Sequence, residues 1–499
     1  GLAVIALREA HEARFLRAPR LLAVLERHLE RRLDGRGTVV VEVELREPGG
    51  HERSKTLRQL DGGTVREGIS FGDLMLRYPT PDILGMMFKS KEKENNKLNE
   101  LIKETNTIVD EKTDKLSTND TIANDSLHKL ETNVEGKIYY PGNRIDYIKR
   151  LKNKLRQGVC QIVHYGDSQI EGDRITGYVR NRLQLAFNGG GPGFFPIKVV
   201  YNQNSIDITT SGNWVRYAFF DRKQRRKVGH DMYGLFATYS RFTNYAKDTT
   251  GLPVSKATFT IKPSAKSYAR LQHYTKFGLH YGNAIGKVKI KVYENGNIIK
   301  TDSLISDGKY HNYKLNFATT PKELKIELEA RVSPDFYGVT LDADTGVRMD
   351  NVAMRGEAGR IFTRMNYENY RQMSVDRQPD LFIFQYGGNT IPYMKTDQQL
   401  REYVEGLIFN MKWVKRANPN AMFMLLGPGD MTTSRNGQRL TYPFLPKLND
   451  LMKEECMKND VAYFSMYEAM GGENSMISWV KQGMAASDYV HFSPKGTKL

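Results

Sequence analysis

The sequence predicts an α/β fold: a parallel sheet flanked by helices, interrupted by an inserted β-sandwich. Short apolar runs at residues 159–165, 381–386, 421–426 and 461–465 are followed, or separated, by segments of helical periodicity at 173–187, 397–416 and 445–458. Strands that alternate with helices in this way build a parallel sheet. By contrast, residues 201–345 carry short alternating segments and no convincing helix, which reads as a sandwich.

A chain of 499 residues is too long for one ordinary domain. Residues 1–80 form an N-terminal segment, rich in Arg and with Lys55 as its only lysine up to residue 70. Leu16, Leu21, Leu22, Leu25 and Leu29 follow helical spacing, so 5–33 is expected to be an amphipathic helix, and 38–44 a strand. No chemistry is visible there. Residues 81–136 are expected to be a polar linker, dominated from 89 onward by Lys, Glu, Asn, Asp and Thr. The α/β domain is then discontinuous, 137–200 and 346–499, with the sandwich at 201–345 between its halves. Inside the sandwich, 257–261, 287–293 and 324–328 alternate as strands, and Asn295-Gly296 marks a hairpin.

Composition narrows the function classes. No apolar run approaches the ~18–20 residues of a membrane span. The two cysteines, Cys160 and Cys456, make no disulfide framework, and without an H-E-x-x-H or Cys/His cluster no metal site is expected. No cofactor is expected either. The formal charge of +17 suits an acidic partner, but the basic residues are spread along the chain. Their densest run, Arg222-Lys223-Gln224-Arg225-Arg226-Lys227, reads first as a solvated loop. No pattern of a nucleic-acid-binding module is present, so no nucleic-acid partner is expected. Trp214, Tyr217, Phe219 and Phe220 could stack on sugar rings, although sandwich core is the commoner role of such aromatics.

The chemistry lies at the strand ends. The first strand ends in Gly166-Asp167-Ser168 ahead of a helix, the geometry that presents a nucleophile at the carboxyl end of a parallel sheet. A later strand ends in Gly387-Gly388-Asn389, and another in Gly427-Pro428-Gly429. The chain then runs to Asp488-Tyr489-Val490-His491. Acyl transfer by serine needs a base, a carboxylate to orient it and donors for the oxyanion. Each motif alone is weak; their order is what carries weight. His164, although near Ser168 in sequence, sits in a strand and is expected to be a core residue rather than the base.

These blocks resemble the SGNH (GDSL-type) hydrolase family: Gly166-Asp167-Ser168-Gln169-Ile170-Glu171-Gly172-Asp173 is similar to its first block, Gly387-Gly388-Asn389 to its asparagine block, and Asp488-Tyr489-Val490-His491-Phe492-Ser493-Pro494-Lys495-Gly496 to its last. The resemblance covers roughly residues 137–499 and implies a flavodoxin-like domain. Within the family the likeness is nearest to bacterial peptidoglycan O-acetylesterases and related acetylesterases, which also carry a carbohydrate-binding-like sandwich after the serine block. The segment Phe336-Tyr337-Gly338-Val339-Thr340-Leu341, leading to Gly346-Val347-Arg348-Met349-Asp350-Asn351, adds to this likeness.

The resemblance implies a catalytic triad of Ser168, Asp488 and His491. It implies an oxyanion hole from Ser168, Asn389 and a glycine, for which Gly356 is the choice and Gly190, Gly191 and Gly359 are rivals. The implied activity is hydrolysis of O-acetyl esters on peptidoglycan or another acetylated polysaccharide, by an exported, periplasmic or cell-surface enzyme. A polysaccharide O-acetyltransferase using the same triad, or a glycan-binding protein with an idle triad, are the alternatives. Family members usually continue past the last block with a final helix; here eight residues follow His491, which implies truncation.

Overall fold

In the computed structural model, residues 138–245 and 249–499 are described in full, preceded by the backbone of five strands. The chain divides into two compact units, Gly1–Asn95 and Asn96–Leu499. In the first unit Leu29–Leu33, Val39–Arg46 and Glu52–Leu57 form an antiparallel sheet, and Ile69–Phe71 pairs with Leu74–Leu76. The strand at Leu29–Leu33 corrects the end of the helix expected over 5–33. Its backbone pairs from Leu29↔Val43 to Leu33↔Val39, so cross-strand pairing overrides the leucine spacing. The rest of that helix, and the linker expected at 81–136, lie outside the described residues.

In the second unit, the elements of the α/β part are β1 (Ile138–Tyr139), α1 (Arg144–Arg156), β2 (Val159–Gly166), α2 (Arg174–Phe187), β3 (Gly346–Ala353), α3 (Tyr367–Arg377), β4 (Leu381–Gln385), α4 (Asp397–Ala417), β5 (Met422–Gly427), α5 (Leu445–Lys458), β6 (Ala462–Ser465), α6 (Met466–Met470) and α7 (Ser475–Lys481). The sheet order is β3-β2-β4-β5-β6-β1; all neighbours are parallel except the edge strand β1. Counted alone, the five parallel strands run 2-1-3-4-5, a doubly wound order that reverses direction at β2. Ligands of such sheets bind outside the carboxyl ends of the strands at that switch point.

Alternation along β2 explains the layers. Val163 and Tyr165 face a core shared with α4 and α5, whereas Cys160 and Ile162 face the core beneath α1 and α2. Helix α4 shows the expected stripe, burying Leu400, Tyr403, Val404, Leu407, Ile408, Met411 and Val414. Helix α2 does not. Its apolar stripe, Val179, Leu183 and Phe187, is only partly buried, while Thr176, Arg180 and Gln184 are fully buried. Each of these side chains makes at least one hydrogen bond: Thr176 Oγ1 lies 2.9 Å from His164 Nδ1, Arg180 Nε donates to the Met349 carbonyl at 2.6 Å, and Gln184 Nε2 donates to the Gly191 carbonyl at 3.0 Å.

Between α2 and β3 the chain forms two antiparallel sheets. One runs Val215–Ala218, Thr238–Arg241, Asp335–Asp342, Lys276–Gly282, His311–Asn316; the other Asn297–Leu304, Val288–Glu294, Leu324–Ala330, Ser255–Pro263, Ile206–Thr210. Phe277, Leu279 and Val339 of the first meet Phe259, Ile290 and Ile326 of the second in one core. Gly193–Phe195, which falls in the segment expected to be α/β, pairs with Asp335–Asp342. The first sheet packs on the α/β part through Tyr217, Tyr239 and Tyr337. A buried clasp reinforces this: Arg377 of α3 binds Asp350 of β3, with Nε at 2.8 Å, and Asp342 of the insert.

Candidate active site

The serine follows β2 directly. Asp167 caps the turn Ser168–Asp173, accepting from the Gln169 N–H at 3.0 Å, and α2 begins at Arg174. Ser168 therefore stands at the carboxyl end of β2, at the sheet's switch point. Its Oγ lies 3.0 Å from Nε2 of His491, and Nδ1 of His491 lies 2.9 Å from Oδ2 of Asp488. A carboxylate only accepts, so Asp488 fixes the proton on Nδ1 and leaves Nε2 free to accept from the serine hydroxyl. The other oxygen of Asp488 accepts from the Val490 and His491 N–H groups at 2.9 and 3.1 Å. Burial raises the Asp488 carboxyl, but the hydrogen bond and charge of His491 and the two amide bonds outweigh it and hold the group below its ordinary value. The arrangement can deprotonate a hydroxyl and stabilise the imidazolium that results.

The turn bearing His491 is tied to the serine loop. Gln169 Nε2 donates to the Val490 carbonyl at 2.7 Å. Arg174, almost completely buried, donates to the Phe492 carbonyl at 2.9 Å and to the Ser168 and Gln169 carbonyls at 3.2 and 3.1 Å. The His491 carbonyl accepts from Ala486 N–H at 2.8 Å. These bonds tie the His491 turn to the serine loop and to the segment before Asp488. Tyr489, between Asp488 and His491, takes a left-handed conformation with φ 60°, unusual for a bulky residue. Arg439, from the hairpin Thr432–Arg435/Gln438–Thr441, covers its ring at 3.9 Å.

Asn389 follows β4, the strand beside β2. Its side-chain amide donates to Asp167 Oδ2 and to the Glu357 carbonyl, both at 3.0 Å, so Asn389 lies beside the serine loop and the loop after β3. Burial pushes the Asp167 carboxyl up to about 6. Of the four glycines weighed in the sequence, Gly356 is exposed, and a Cβ placed on it would meet nothing within 4 Å. The others are packing glycines. A Cβ on Gly190 would lie 2.6 Å from the His273 carbonyl, one on Gly191 would strike the Leu341 carbonyl, and one on Gly359 would lie 2.6 Å from Leu407.

His164 is buried between Thr176 and Gln385, with Nε2 3.1 Å from Gln385 Oε1, and burial pushes its pKa down to about 3. It is a core residue whose two ring nitrogens are taken by Gln385 and Thr176, while Ser168 Oγ pairs with His491. Trp214, Tyr217 and Phe219 are buried in the insert, so they offer no open face to a sugar; Phe220 is partly buried. Both cysteines are buried free thiols.

Several residues of the site were not singled out in the sequence: Asp167 and Gln169 as partners of Asn389 and Val490, Arg174 as a clamp, and the ion pair of buried Glu171 with Arg355, whose Nη2 reaches Glu171 Oε2 at 2.6 Å. Asp167, Gln169 and Glu171 lie in the serine block itself, where a buried polar residue is the available signal. Arg174 and Arg355 carry no local pattern that distinguishes them from surface arginines. A small cleft, lined by Gly172, Tyr201, Arg216, Thr238, Asn351 and Ala353 among others, opens beside the serine loop without reaching Ser168.

No protein-family model matches this sequence, and no curated protein matches it. Solved structures do. A structure described as a peptidoglycan O-acetylesterase in action superposes with a TM-score of 0.56 at 20% identity, covering 72% of this chain and 95% of its own. Weaker matches are a putative GDSL-like lipase from Bacteroides ovatus (TM-score 0.23, 10% identity, 58% of this chain and 94% of that one) and a family two carbohydrate esterase from Clostridium thermocellum (TM-score 0.19, 12% identity, 42% and 81%). The chain has the fold of the structure described as a peptidoglycan O-acetylesterase.

Proposed function

We propose that this protein is a serine esterase that removes O-acetyl groups from a carbohydrate, with peptidoglycan the first candidate. The observation that carries this reading is the series Ser168 Oγ–His491 Nε2–Asp488, at 3.0 and 2.9 Å, at the switch point of the sheet. Ser168 Oγ attacks the acetyl carbonyl as His491 takes its proton. Asp488 holds the imidazole and stabilises its cation. The backbone N–H groups of Ser168 and Gly356 and the side-chain amide of Asn389 stabilise the oxyanion, Asn389 releasing one of its present acceptors to do so. His491 then gives the proton to the departing sugar oxygen, which leaves as a hydroxyl, and a water deprotonated by the same histidine attacks the acetyl-enzyme, releasing acetate as the proton returns to Ser168 Oγ. The two antiparallel sheets are a carbohydrate-binding-like sandwich inserted in the hydrolase domain, and an enzyme acting on such polymers works outside the cytoplasm.

The test is acetate release from O-acetylated peptidoglycan, acetylated xylan and an aryl acetate, comparing the protein with Ser168→Ala, both checked for folding by circular dichroism. Release that depends on Ser168 is expected. A folded protein that releases acetate from none of the three overturns the reading. Transfer of acetyl to an added glycan in place of water would move the assignment to an acetyltransferase.

A further inference from the structure

The basic run at 222–227 is not wholly a solvated loop. Asp221 caps the single helical turn Arg222–Arg225, leaving Arg222, Lys223, Arg226 and Lys227 exposed, while Arg225 folds back. Its Nη1 donates to the Phe219 carbonyl at 3.0 Å, and its guanidinium lies 4.8 Å from the Phe219 ring centre. A second guanidinium, that of Arg364 from the turn after β3, lies 5.7 Å from the centre of the same ring. The charged groups acting on Arg364 are Glu357, Arg225 and Arg360, one carboxylate among three guanidiniums. Arg360 and Arg364 are exposed and Arg225 is half-buried. Among the described residues none of the three arginines is in an ion pair. The cluster therefore holds two positive charges more than its own carboxylate can answer. Like charges gathered on one rim repel, and planar guanidiniums are suited to a carboxylate brought from outside.

The cluster lies next to the chemistry. Glu357, on whose carboxyl the charges of all three arginines act, follows Gly356 and offers its carbonyl to Asn389 at 3.0 Å. Resting on the esterase reading above, we infer that Arg225, Arg360 and Arg364 form an anion subsite on the oxyanion side of Ser168 that takes a carboxylate of the acetylated glycan. The enzyme thereby selects acidic acetylated polymers over neutral ones. One of its arginines comes from the insert and two from the α/β part, which gives the insert a direct part in substrate choice.

The experiment compares O-acetylated peptidoglycan with the same polymer after its carboxylates are coupled to methylamine by carbodiimide, at equal acetyl content. Wild type is expected to lose about tenfold in kcat/KM on the blocked polymer, mostly in KM, and to lose this preference in high salt. The double variant Arg225→Gln/Arg364→Gln should show the low value on both polymers. Equal rates for wild type on the two polymers, or a preference undiminished in a folded double variant, overturn the subsite. Sedimentation of Ser168→Ala with the two insoluble polymers, with and without the arginine substitutions, reads the same preference as binding. The subsite can then be decided even if no acetate is released and the esterase reading fails.

Discussion

The side-chain amide of Gln169 donates to the backbone carbonyl of Val490 at 2.7 Å, so the residue after the serine holds the residue before the histidine. Ser168 and His491 are 323 positions apart, and their 3.0 Å contact depends on this tie and on the Arg174 clamp beside it. A misplacement of about 1 Å can cost roughly 10²-fold in rate. Gln169→Ala is expected to lower kcat about ten- to a hundredfold while KM moves little. Gln169→Glu should not rescue, because a carboxylate cannot donate to a carbonyl. Steady-state kinetics of both variants, beside unchanged circular dichroism, check this; wild-type kcat in Gln169→Ala would mean the tie is idle.

Asp488→Asn keeps the shape of the carboxylate but not its fixed tautomer. A loss in kcat of about 10⁴ is expected, the order found when a triad carboxylate is replaced by its amide. Because the native Asp488 is held below its ordinary value, its contribution to stability is present above the unfolded pKa of 3.8 and is lost as pH falls through the lower native one. Thermal melts between pH 2.5 and 5 should therefore show a steeper acid loss in the wild type than in Asp488→Asn.

Much of the α/β part was legible because its signals are local. The runs at 159–165, 381–386, 421–426 and 461–465 are strands, and α4 and α5 follow their apolar stripes. Other elements had no such signal. Helix α3, with the sequence YENYRQMSVDR, has no apolar stripe and packs Tyr370 and Met373 beside Asn369 and Ser374. Strand β1 is two residues long and pairs only by tertiary contact with β6. At the site, Ser168, Asn389, Asp488 and His491 could be picked out because each follows a strand or a turn motif. Arg174 and the arginines around Glu357 could not, since their partners are backbone carbonyls and groups distant in sequence. The helix expected at 5–33 fails at Leu29–Leu33 because spacing cannot see a pairing strand.

His164 makes a pH prediction of opposite origin to Asp488. Burial holds it neutral, with its pKa pushed down to about 3. Between that value and the unfolded ~6.5 the unfolded chain binds the extra proton, so stability is complete above pH ~6.5 and falls as pH drops toward 3. The upper limit of this loss is about 5 kcal/mol. His164→Gln, which keeps a donor and an acceptor, should flatten the dependence of Tm on pH between 4 and 6.5. Esterase activity at neutral pH should stay within a fewfold of wild type, and a loss of several hundredfold in a folded variant would give His164 a role in the chemistry.

Arg377 joins the insert to the sheet, binding Asp342 and Asp350 while only 7% of its side chain is exposed. Removing one partner of a buried ionic cluster strands the others, at a cost of about 3–5 kcal/mol. Arg377→Leu is expected to lose that much in denaturant unfolding and to lower Tm clearly. A change below about 1 kcal/mol would mean that Gln161 and the Phe194 N–H, which also reach Asp350, suffice to hold the junction.

Gly356 and Gly359 have nearly the same backbone, φ 77° and 76°, in opposite surroundings. A methyl on Gly356 meets open space, so Gly356→Ala bears only the strain of a left-handed alanine, about 1–2 kcal/mol. A methyl on Gly359 also meets Leu407 at 2.6 Å and Tyr386 at 2.7 Å, both buried, so Gly359→Ala should cost about 2–4 kcal/mol in stability. If the Gly356 N–H faces the oxyanion, relief of that strain by a shift of the loop misdirects the donor. Loss of one such donor lowers kcat by about 10²–10³. Gly356→Ala should then be stable but slow, and Gly359→Ala less stable but, where folded, nearer to wild type in kcat. The reverse pattern in kcat, measured on an aryl acetate below both melting points, would move the oxyanion donor to Gly359.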